Sequence, residues 1–265
     1  METTTVQNPS LSGQVLFYQQ PELLSREAHG SLGVNRSETA FAFASGANVV
    51  PLTVPEFGPA SLCYPVIFAG EQYNPLAVMG LSDGQNLFIS PEGVLEPDAY
   101  MPAFIRRYPF VLASAADDAE RMLVCIDRSY KNISENPELP FFDNGEPSEY
   151  TKNSIEFLNQ FQTQVQLTSS FTQMLQELGL FEPRTTTFTP RNADGTTGEP
   201  QKIAEYFAVS EEKLKALPAD KLVELRDNGA LQQIYAHLNS LFGWDRLTAR
   251  VLSRAAAQQP QPANS

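Results

Sequence analysis

The sequence has few of the residues from which metal sites and disulfide frameworks are built. Its 265 residues include two cysteines and two histidines. A structural zinc site takes four such ligands in spaced pairs, and a non-haem iron site takes two histidines and a carboxylate. His29, Cys63, Cys125 and His237 show no such pairing. The sequence therefore predicts no metal and no cofactor, and two distant cysteines are typical of a reducing compartment.

Basic residues are also scarce. Eighteen Lys and Arg stand against 31 Asp and Glu, which gives a formal charge of −13. Proteins that bind nucleic acid or anionic lipid carry surplus positive charge, so this balance argues against both kinds of partner. Glycine-rich phosphate loops of the GxGxxG or P-loop type are missing, and no stretch reaches the ~20 apolar residues of a membrane span.

The N-terminal residues lack the pattern of a secretory signal. Residues 1–15 contain no positively charged region followed by an apolar one. This predicts a cytoplasmic protein, while one-step export through an uncleaved C-terminal signal leaves the cell surface open as a second location.

The composition is otherwise that of a folded chain, with 42% hydrophobic residues and 17 phenylalanines. Residues 1–44 are polar and interrupted by proline and glycine, which predicts a mobile or loosely docked arm. Short apolar runs separated by turn residues fill 45–147 and predict an antiparallel sheet, open or partly closed. Within it, Asp83–Gly84 predicts a hairpin turn, and Pro51 predicts an edge strand or an irregular one.

The pattern changes to helical from 148 to 257. Apolar residues recur at helical spacing after Ser148, which can cap a helix, and Gly179 can end it. Shorter helices are expected between 211 and 257. The expected fold is therefore α+β, with the sheet packed against a helical half.

Two segments of the C-terminal region have little core-forming content. Residues 185–200 are rich in threonine, glycine and proline and predict a mobile connector. Residues 258–265 are rich in proline and glutamine and predict a disordered tail.

Several single residues resemble parts of catalytic or binding sites but favour structural roles. Cys125 stands between apolar residues of a predicted strand, which is typical of an inert core thiol. His237 lies at the edge of a helical apolar stripe, three residues before Ser240, and a hydrogen-bonded boundary histidine is favoured over a catalytic pair. Asp143–Asn144–Gly145 lacks the later ligands of a calcium loop and predicts a turn.

The pair Arg106–Arg107 is the most informative candidate site. If residues 104–113 form a strand, the two guanidinium groups lie on opposite apolar faces, and at least one is buried and needs a partner. Arg106 shares its face with three aromatic residues and is expected to be the buried one. An internal ion pair with Asp127 or Glu56 is favoured, and an anion clamp for a carboxylate or sugar acid stays open. The candidate binding residues are Arg106, Arg107, Tyr108 and Asp127.

Several segments resemble the SapC family of bacterial proteins. The most specific is YMPAFIRRYPFVL (100–112), followed by the apolar strand that ends in Asp127. The resemblance extends over residues 45–250 through VVPLTVPEF (49–57), YPVIFAG (64–70), PLAVMGLSDGQNLFI (75–89), FFDNGEPSE (141–149) and IYAHLNSLFGWDRL (234–247).

The resemblance implies association with a paracrystalline surface layer. It also implies that the gene of such a protein lies beside genes for TonB-dependent receptors and flavin-dependent halogenases. It transfers no catalytic residue. The leading hypothesis is a non-catalytic protein that associates with surface-layer or cell-envelope components or binds an acidic small molecule. The alternative is a cytoplasmic enzyme or accessory factor of glycan or peptide metabolism linked to those loci.

Overall fold

The computed structural model describes residues 16–115, 118, 121–189 and 198–258. The strands are β1 Pro21–Leu23, β2 Gly33–Val34, β3 Val49–Pro51, β4 Val66–Ala69, β5 Asn74–Val78, β6 Phe110–Ser114, β7 Met122–Asp127, β8 Ile133–Ser134, β9 Leu139–Pro140, β10 Phe142–Asp143, β11 Glu146–Pro147, β12 Phe181–Phe188 and β13 Gln201–Val209. The helices are α1 Arg26–His29, α2 Phe57–Ser61, α3 Ala103–Arg106, α4 Glu149–Glu177, α5 Glu211–Lys215, α6 Ala219–Asp227, α7 Ala230–Ser240 and α8 Gly243–Gln258.

The strands form antiparallel sheets that do not close. The largest has the order β12-β13-β4-β5-β3, and a second has the order β1-β7-β6. Two small sheets, β8-β2-β9 and β10-β11, complete the set within the described residues. The α+β prediction is confirmed in its open form. Pro51 lies in β3 at the edge of the sheet, the first of the two alternatives predicted, where the N–H that proline lacks is not needed by a neighbouring strand.

The main core lies between the five-stranded sheet and the helices of the C-terminal half. Phe171 of α4 and Trp244 of α8 are each 7% exposed, and Ile234 of α7 is completely buried. These side chains join Phe57 of α2 and Phe68 of β4 in one cluster. Burial of side chains of this size contributes roughly 1.5–3 kcal/mol each, so the predicted packing of helices on the sheet is also the main source of stability.

The long helix α4 begins and ends where the sequence predicts. The Oγ of Ser148 accepts a hydrogen bond from the Thr151 N–H at 3.2 Å, which satisfies one of the free donors of the first turn. Gly179 follows the helix with φ +66°, a conformation that glycine adopts without steric cost. A residue with a Cβ there would leave the helix end strained.

The predicted connector is partly a strand. Thr185, Thr186 and Thr187 belong to β12, which pairs with β13 from Phe181↔Val209 onward. Threonine is β-branched and favours extended backbone, a preference that outweighs its frequency in loops here. The connector prediction is therefore wrong for 185–188. Residues 190–197 lie outside the described residues, as does the predicted tail from 259 onward.

The predicted hairpin forms its turn but not its second strand. Gly84 has φ +74° in the turn after β5. The buried amide of Asn86 then donates to the Ala47 carbonyl at 3.0 Å and accepts the N–H groups of Phe88 and Ile89 at 2.8 and 3.0 Å. These side-chain bonds take the place of a ladder, so residues 86–90 run as an irregular segment.

The described part of the predicted N-terminal arm contains β1, α1 and β2. Strand β1 pairs with β7 through Pro21↔Asp127 and Leu23↔Cys125. His29 in α1 is 1% exposed and lies 2.9 Å from a carboxylate oxygen of Glu22. Residues 1–15 lie outside the described residues.

Candidate functional site

A buried carboxylate fixes the start of helix α3. Glu56 is 4% exposed, and its Oε1 accepts hydrogen bonds from the Ala103 N–H at 2.6 Å and the Tyr100 hydroxyl at 3.0 Å. Its Oε2 accepts the N–H and the hydroxyl of Thr53, both at 2.8 Å. The first N–H groups of a helix have no partner within the helix, so this carboxylate holds α3 against the 3₁₀ turn Val54–Glu56. The two candidate arginines, Arg106 and Arg107, come three and four residues after the anchored Ala103.

Arg106 is exposed, so the prediction that it is the buried arginine is wrong. The alternation of faces expected for a strand does not apply, because Ala103–Arg106 is helical and β6 begins at Phe110. The Arg106 guanidinium lies 5.2 Å from the ring centre of Phe157, and its Nη2 donates to the Tyr100 hydroxyl at 3.4 Å. It therefore lies on the outer side of the Glu56–Tyr100 anchor.

Arg107 is the arginine enclosed by aromatic rings. Its guanidinium carbon lies 4.0 Å from the ring centre of Phe104, 5.0 Å from that of Phe161 and 5.6 Å from that of Tyr18. Its Nε is buried and has no hydrogen-bond partner among the described residues. Burial lowers the pKa of this guanidinium, and the hydrogen bond to Tyr18 partly opposes the shift. Arginine keeps its proton through such a shift, so the positive charge remains.

The predicted ion pair does not form. Arg107 makes no ion pair with a carboxylate of the described residues. The Glu56 carboxylate accepts hydrogen bonds from α3 and Thr53, and the Asp127 carboxylate accepts hydrogen bonds from other donors, none of which is Arg107. Aromatic faces stabilise the cation instead, an interaction that strengthens as water is removed.

Asp127 is a second buried anchor. Its fully buried carboxylate accepts three backbone N–H groups and two hydroxyls. The donors are the N–H groups of Gln19 (2.8 Å), Gln20 (3.0 Å) and Ser129 (3.0 Å) and the hydroxyls of Ser129 (2.6 Å) and Tyr108 (3.2 Å). Desolvation alone would raise the pKa of this carboxyl, but the hydrogen bonds from Ser129, Gln19 and Gln20 outweigh it and hold the pKa below its ordinary value.

A pocket of about 460 Å³ opens beside Arg107. We call it the Arg107 pocket. It lies between β3, β5 and α4, and Arg107 is the only charged side chain among the described residues that line it. Its wall combines apolar side chains with hydroxyls and amides, supplied by Pro51, Leu52, Thr53, Asn74, Pro75, Leu76, Phe104, Phe161, Gln162, Val165, Thr168, Ser169 and Thr172.

The sequence contains one signal for this pocket that the sequence analysis did not use. Phe161, Val165, Thr168 and Thr172 are spaced three and four residues apart on α4, so they share one helix face. Thr168 and Thr172 are 7% and 5% exposed, which makes them polar interruptions of the buried stripe. Such interruptions indicate that the face borders a polar feature as well as the core.

Tyr108 and Asp127 lie together, and neither of them lines the Arg107 pocket. The hydroxyl of Tyr108 donates to Asp127, and its ring stacks on Phe43 with centroids 3.9 Å apart. Desolvation and the Asp127 charge both raise the pKa of this phenol. The structure therefore separates the four predicted site residues into three places, with only Arg107 lining the pocket at α4.

The two residues interpreted as structural are both buried. Cys125 is completely buried in β7, and desolvation raises the pKa of its thiol. His237 is also completely buried, which corrects its predicted place at the edge of the helix stripe. Its Nδ1 lies 2.8 Å from the Val66 carbonyl and its Nε2 accepts the Val209 N–H at 3.1 Å. It therefore bridges strands β4 and β13.

Most of the residues described above lie within a match to a known protein family. A family model described as SapC matches residues 24–247, which include both anchors, Arg107 and α4. The chain belongs to the SapC family. The resemblance of the sequence segments to SapC is thereby confirmed. A search of curated proteins and a search of solved structures find no match.

Two properties of the structure bear on the kinds of partner that SapC membership leaves open. In the part of the chain that the structure describes, no helix has the length and apolar character to cross a membrane. The same residues hold no cluster of three His, Cys, Asp or Glu side chains placed to bind a metal ion.

Proposed function

We propose that this SapC family protein is a non-catalytic binding protein that holds a small organic anion against Arg107. The observation that carries the proposal is a charged guanidinium that lines a pocket without a carboxylate partner. A charge removed from water costs free energy unless it is paired. A ligand carboxylate that reaches the terminal nitrogens of Arg107 supplies the missing charge and makes charge-assisted hydrogen bonds.

The rest of the Arg107 pocket indicates the shape of that anion. Phe104 and Phe161 present apolar ring surface beside the guanidinium. The amides of Asn74 and Gln162 lie at the mouth, exposed and without a side-chain hydrogen bond to a described residue. The volume falls in the ~300–1,000 Å³ range of small-molecule sites. The ligand is therefore an organic acid with an apolar or aromatic body and a polar group at its far end.

The lining also favours binding over catalysis. Among the described residues that form the pocket there is no Asp, Glu, His or Cys. General acid–base catalysis and the activation of a nucleophile both draw mainly on these side chains. The positive charge and hydroxyls of this pocket can hold and orient an acid, which is the chemistry of a binding protein.

Removal of the Arg107 charge tests the proposal. We expect the Arg107→Gln variant to bind benzoate and hexanoate about 10–100-fold more weakly, because a hydrogen bond to a charged group contributes ~1.5–3 kcal/mol. Isothermal titration calorimetry on the full chain measures the change. Benzamide, which is isosteric but neutral, should bind weakly to wild type and be insensitive to the substitution.

Arg106→Gln is the matched control. It removes the same charge one residue away, from a side chain that is exposed, and should leave benzoate binding unchanged. An Arg107→Lys variant keeps the charge but loses the planar fork, so it should bind with an intermediate affinity. Equal losses in Arg106→Gln and Arg107→Gln would refute the Arg107 pocket as the site.

The location of the protein is a separate proposal. The likeness to SapC supports a role at the surface layer or cell envelope, and the alternative is a protein that stays in the cytoplasm. Cell fractionation combined with protease treatment of intact cells separates the two. Loss of the protein on surface proteolysis supports the envelope, and complete protection supports the cytoplasm.

A further inference from the structure

We propose a second binding site, for a neutral saccharide, in a pocket of about 480 Å³ that shares no lining residue with the Arg107 pocket. We call it the aromatic pocket. The residues that line it are Phe17, Gln19, Thr39, Ala40, Ala42, Phe43, Pro91, Glu92, Tyr108, Ser129, Tyr130, Lys131 and Asn132. Arg107 does not line it, so this inference is independent of the proposed function.

The pocket contains a corner of aromatic rings. Phe43 and Tyr108 are stacked, with an angle of 25° between their planes. Tyr130 stands at 87° to Phe43 and at 86° to Tyr108, with centroids 6.3 and 5.0 Å away. All three rings are partly exposed. The corner therefore offers apolar surface in two directions at right angles.

Polar side chains of mixed type surround this corner. Gln19 and Lys131 are exposed, and neither side chain hydrogen-bonds a described residue. Glu92 and Thr39 add acceptors and a hydroxyl, and the Asn132 amide donates to the Tyr130 hydroxyl at 3.1 Å. The one cation and the one carboxylate in the lining balance in charge.

A pyranose ring matches this combination. One face of such a sugar carries C–H groups with partial positive charge, which favour the negative face of an aromatic ring. Its rim carries hydroxyls that both donate and accept, as amide, carboxylate and ammonium groups require. An organic anion would find no enclosed cation in this pocket to pair with. An organic cation would lie against the positive charge of Lys131. The balanced charge therefore favours a neutral ligand over either ion.

The corner is held rigid by the Asp127 anchor. Asp127 accepts the Tyr108 hydroxyl and so fixes the orientation of that ring. It also accepts the N–H groups of Gln19 and Gln20, two and three residues after Phe17. Phe17 packs against Phe43 at 5.3 Å and against Phe104 at 5.8 Å, which makes it a wall between the two pockets. A preformed site of this kind loses little freedom when its ligand binds.

The test uses the full chain and a panel of neutral sugars. Saturation-transfer NMR is recorded with glucose, galactose, mannose, xylose, N-acetylglucosamine and their common disaccharides. We expect at least one sugar to receive saturation mainly on the C–H protons of one face. The double variant Gln19→Ala/Lys131→Ala should weaken its binding at least tenfold, because both side chains are exposed and removable without loss of core. Arg107→Gln should leave it unchanged.

Matched controls make the outcome decisive. Lys152→Ala/Gln166→Ala removes the same two residue types from exposed positions of α4 that line neither pocket, and should bind the sugar as wild type does. Choline and benzoate are included as charged probes. The proposal is overturned if no sugar of the panel receives saturation, if the two double variants behave alike, or if choline alone binds in a manner sensitive to Gln19 and Lys131.

Discussion

Replacement of Asp127 by alanine should lower the free energy of unfolding by about 4 kcal/mol. The carboxylate is completely buried and accepts hydrogen bonds from Gln19, Gln20, Ser129 and Tyr108. A hydrogen bond to a charged group contributes ~1.5–3 kcal/mol, and donors left buried without an acceptor add their own desolvation cost. Urea unfolding monitored by circular dichroism measures the loss.

Asp98→Ala is the control for this prediction, because Asp98 is exposed and should cost less than ~0.5 kcal/mol. Asp127→Asn should fall between the two, since the amide keeps one acceptor oxygen but places an NH₂ group against donors. If Asp127→Ala and Asp98→Ala lose equal stability, Asp127 is not an anchor.

The same anchor predicts a direction for acid unfolding. The pKa of Asp127 is lower in the folded protein than its ordinary value. Its stabilising contribution is therefore complete above the unfolded-state pKa, near ~3.9, and is lost as the pH falls through the folded-state pKa. Acid titration of wild type should show this loss below about pH 4, and Asp127→Asn should show a shallower decline there.

The anchor also links stability to the aromatic pocket. Residues 18–20 lie against the sheet partly because Asp127 holds the N–H groups of Gln19 and Gln20, and Tyr18 donates to the Phe110 carbonyl at 2.6 Å. Loss of the carboxylate removes two of these ties. Asp127→Ala should therefore become sensitive to limited proteolysis near residues 16–20 before it unfolds globally.

The elements predicted correctly are those whose signals are local. Helix α4 carries its cap, its apolar stripe and its terminating glycine within one stretch of sequence, and the structure has all three. Pro51 restricts β3 to an edge or irregular strand, and β3 lies at the edge. The buried thiol of Cys125 follows from its apolar neighbours. Each of these properties depends on residues a few positions apart.

The arginine site could not be predicted because its causes are distant in sequence. Helix α3 exists where Glu56 accepts the Ala103 N–H, 47 residues away. The rings around Arg107 come from Tyr18, Phe104 and Phe161. The segment is adjacent to proline and rich in apolar residues, a composition that also suits a strand. The distant Glu56 carboxylate favours a helical turn because it accepts the first N–H of that turn. Which arginine is enclosed follows from that turn.

His237 should prove to be the histidine on which the main sheet depends. Strands β4 and β13 are in register only at Phe207↔Phe68. Two residues further along each strand, the His237 imidazole connects the two strands instead. Its Nδ1–H donates to the Val66 carbonyl of β4, and its Nε2 accepts the Val209 N–H of β13. His237→Ala leaves the Val209 N–H buried without its acceptor, leaves the Val66 carbonyl only a long hydrogen bond of 3.5 Å from the Ser240 hydroxyl, and opens a cavity. We therefore expect a loss of about 4 kcal/mol.

The bridge also requires a neutral ring, because protonation would place an N–H against the Val209 N–H. Burial accordingly lowers the pKa of His237 to about 4. In the unfolded chain His237 takes up its proton near pH ~6.5, so between this pH and the folded-state pKa the unfolded state binds more protons than the folded state. The free energy of unfolding therefore decreases as the pH is lowered through this range. Between pH 7 and pH 5 this amounts to about 2 kcal/mol, and the decline ends as the pH passes the folded-state pKa.

Glutamine at position 237 separates the bridge from the proton. Its amide can donate on one side and accept on the other as the imidazole does, but it does not titrate. His237→Gln should therefore retain more stability than His237→Ala and should lose the decline between pH 7 and pH 5. His29→Gln, which replaces the second of the two histidines, should keep that decline, as measured by urea midpoints at both pH values. A decline that disappears in His29→Gln and persists in His237→Gln would show that the strand bridge is not the titrating group.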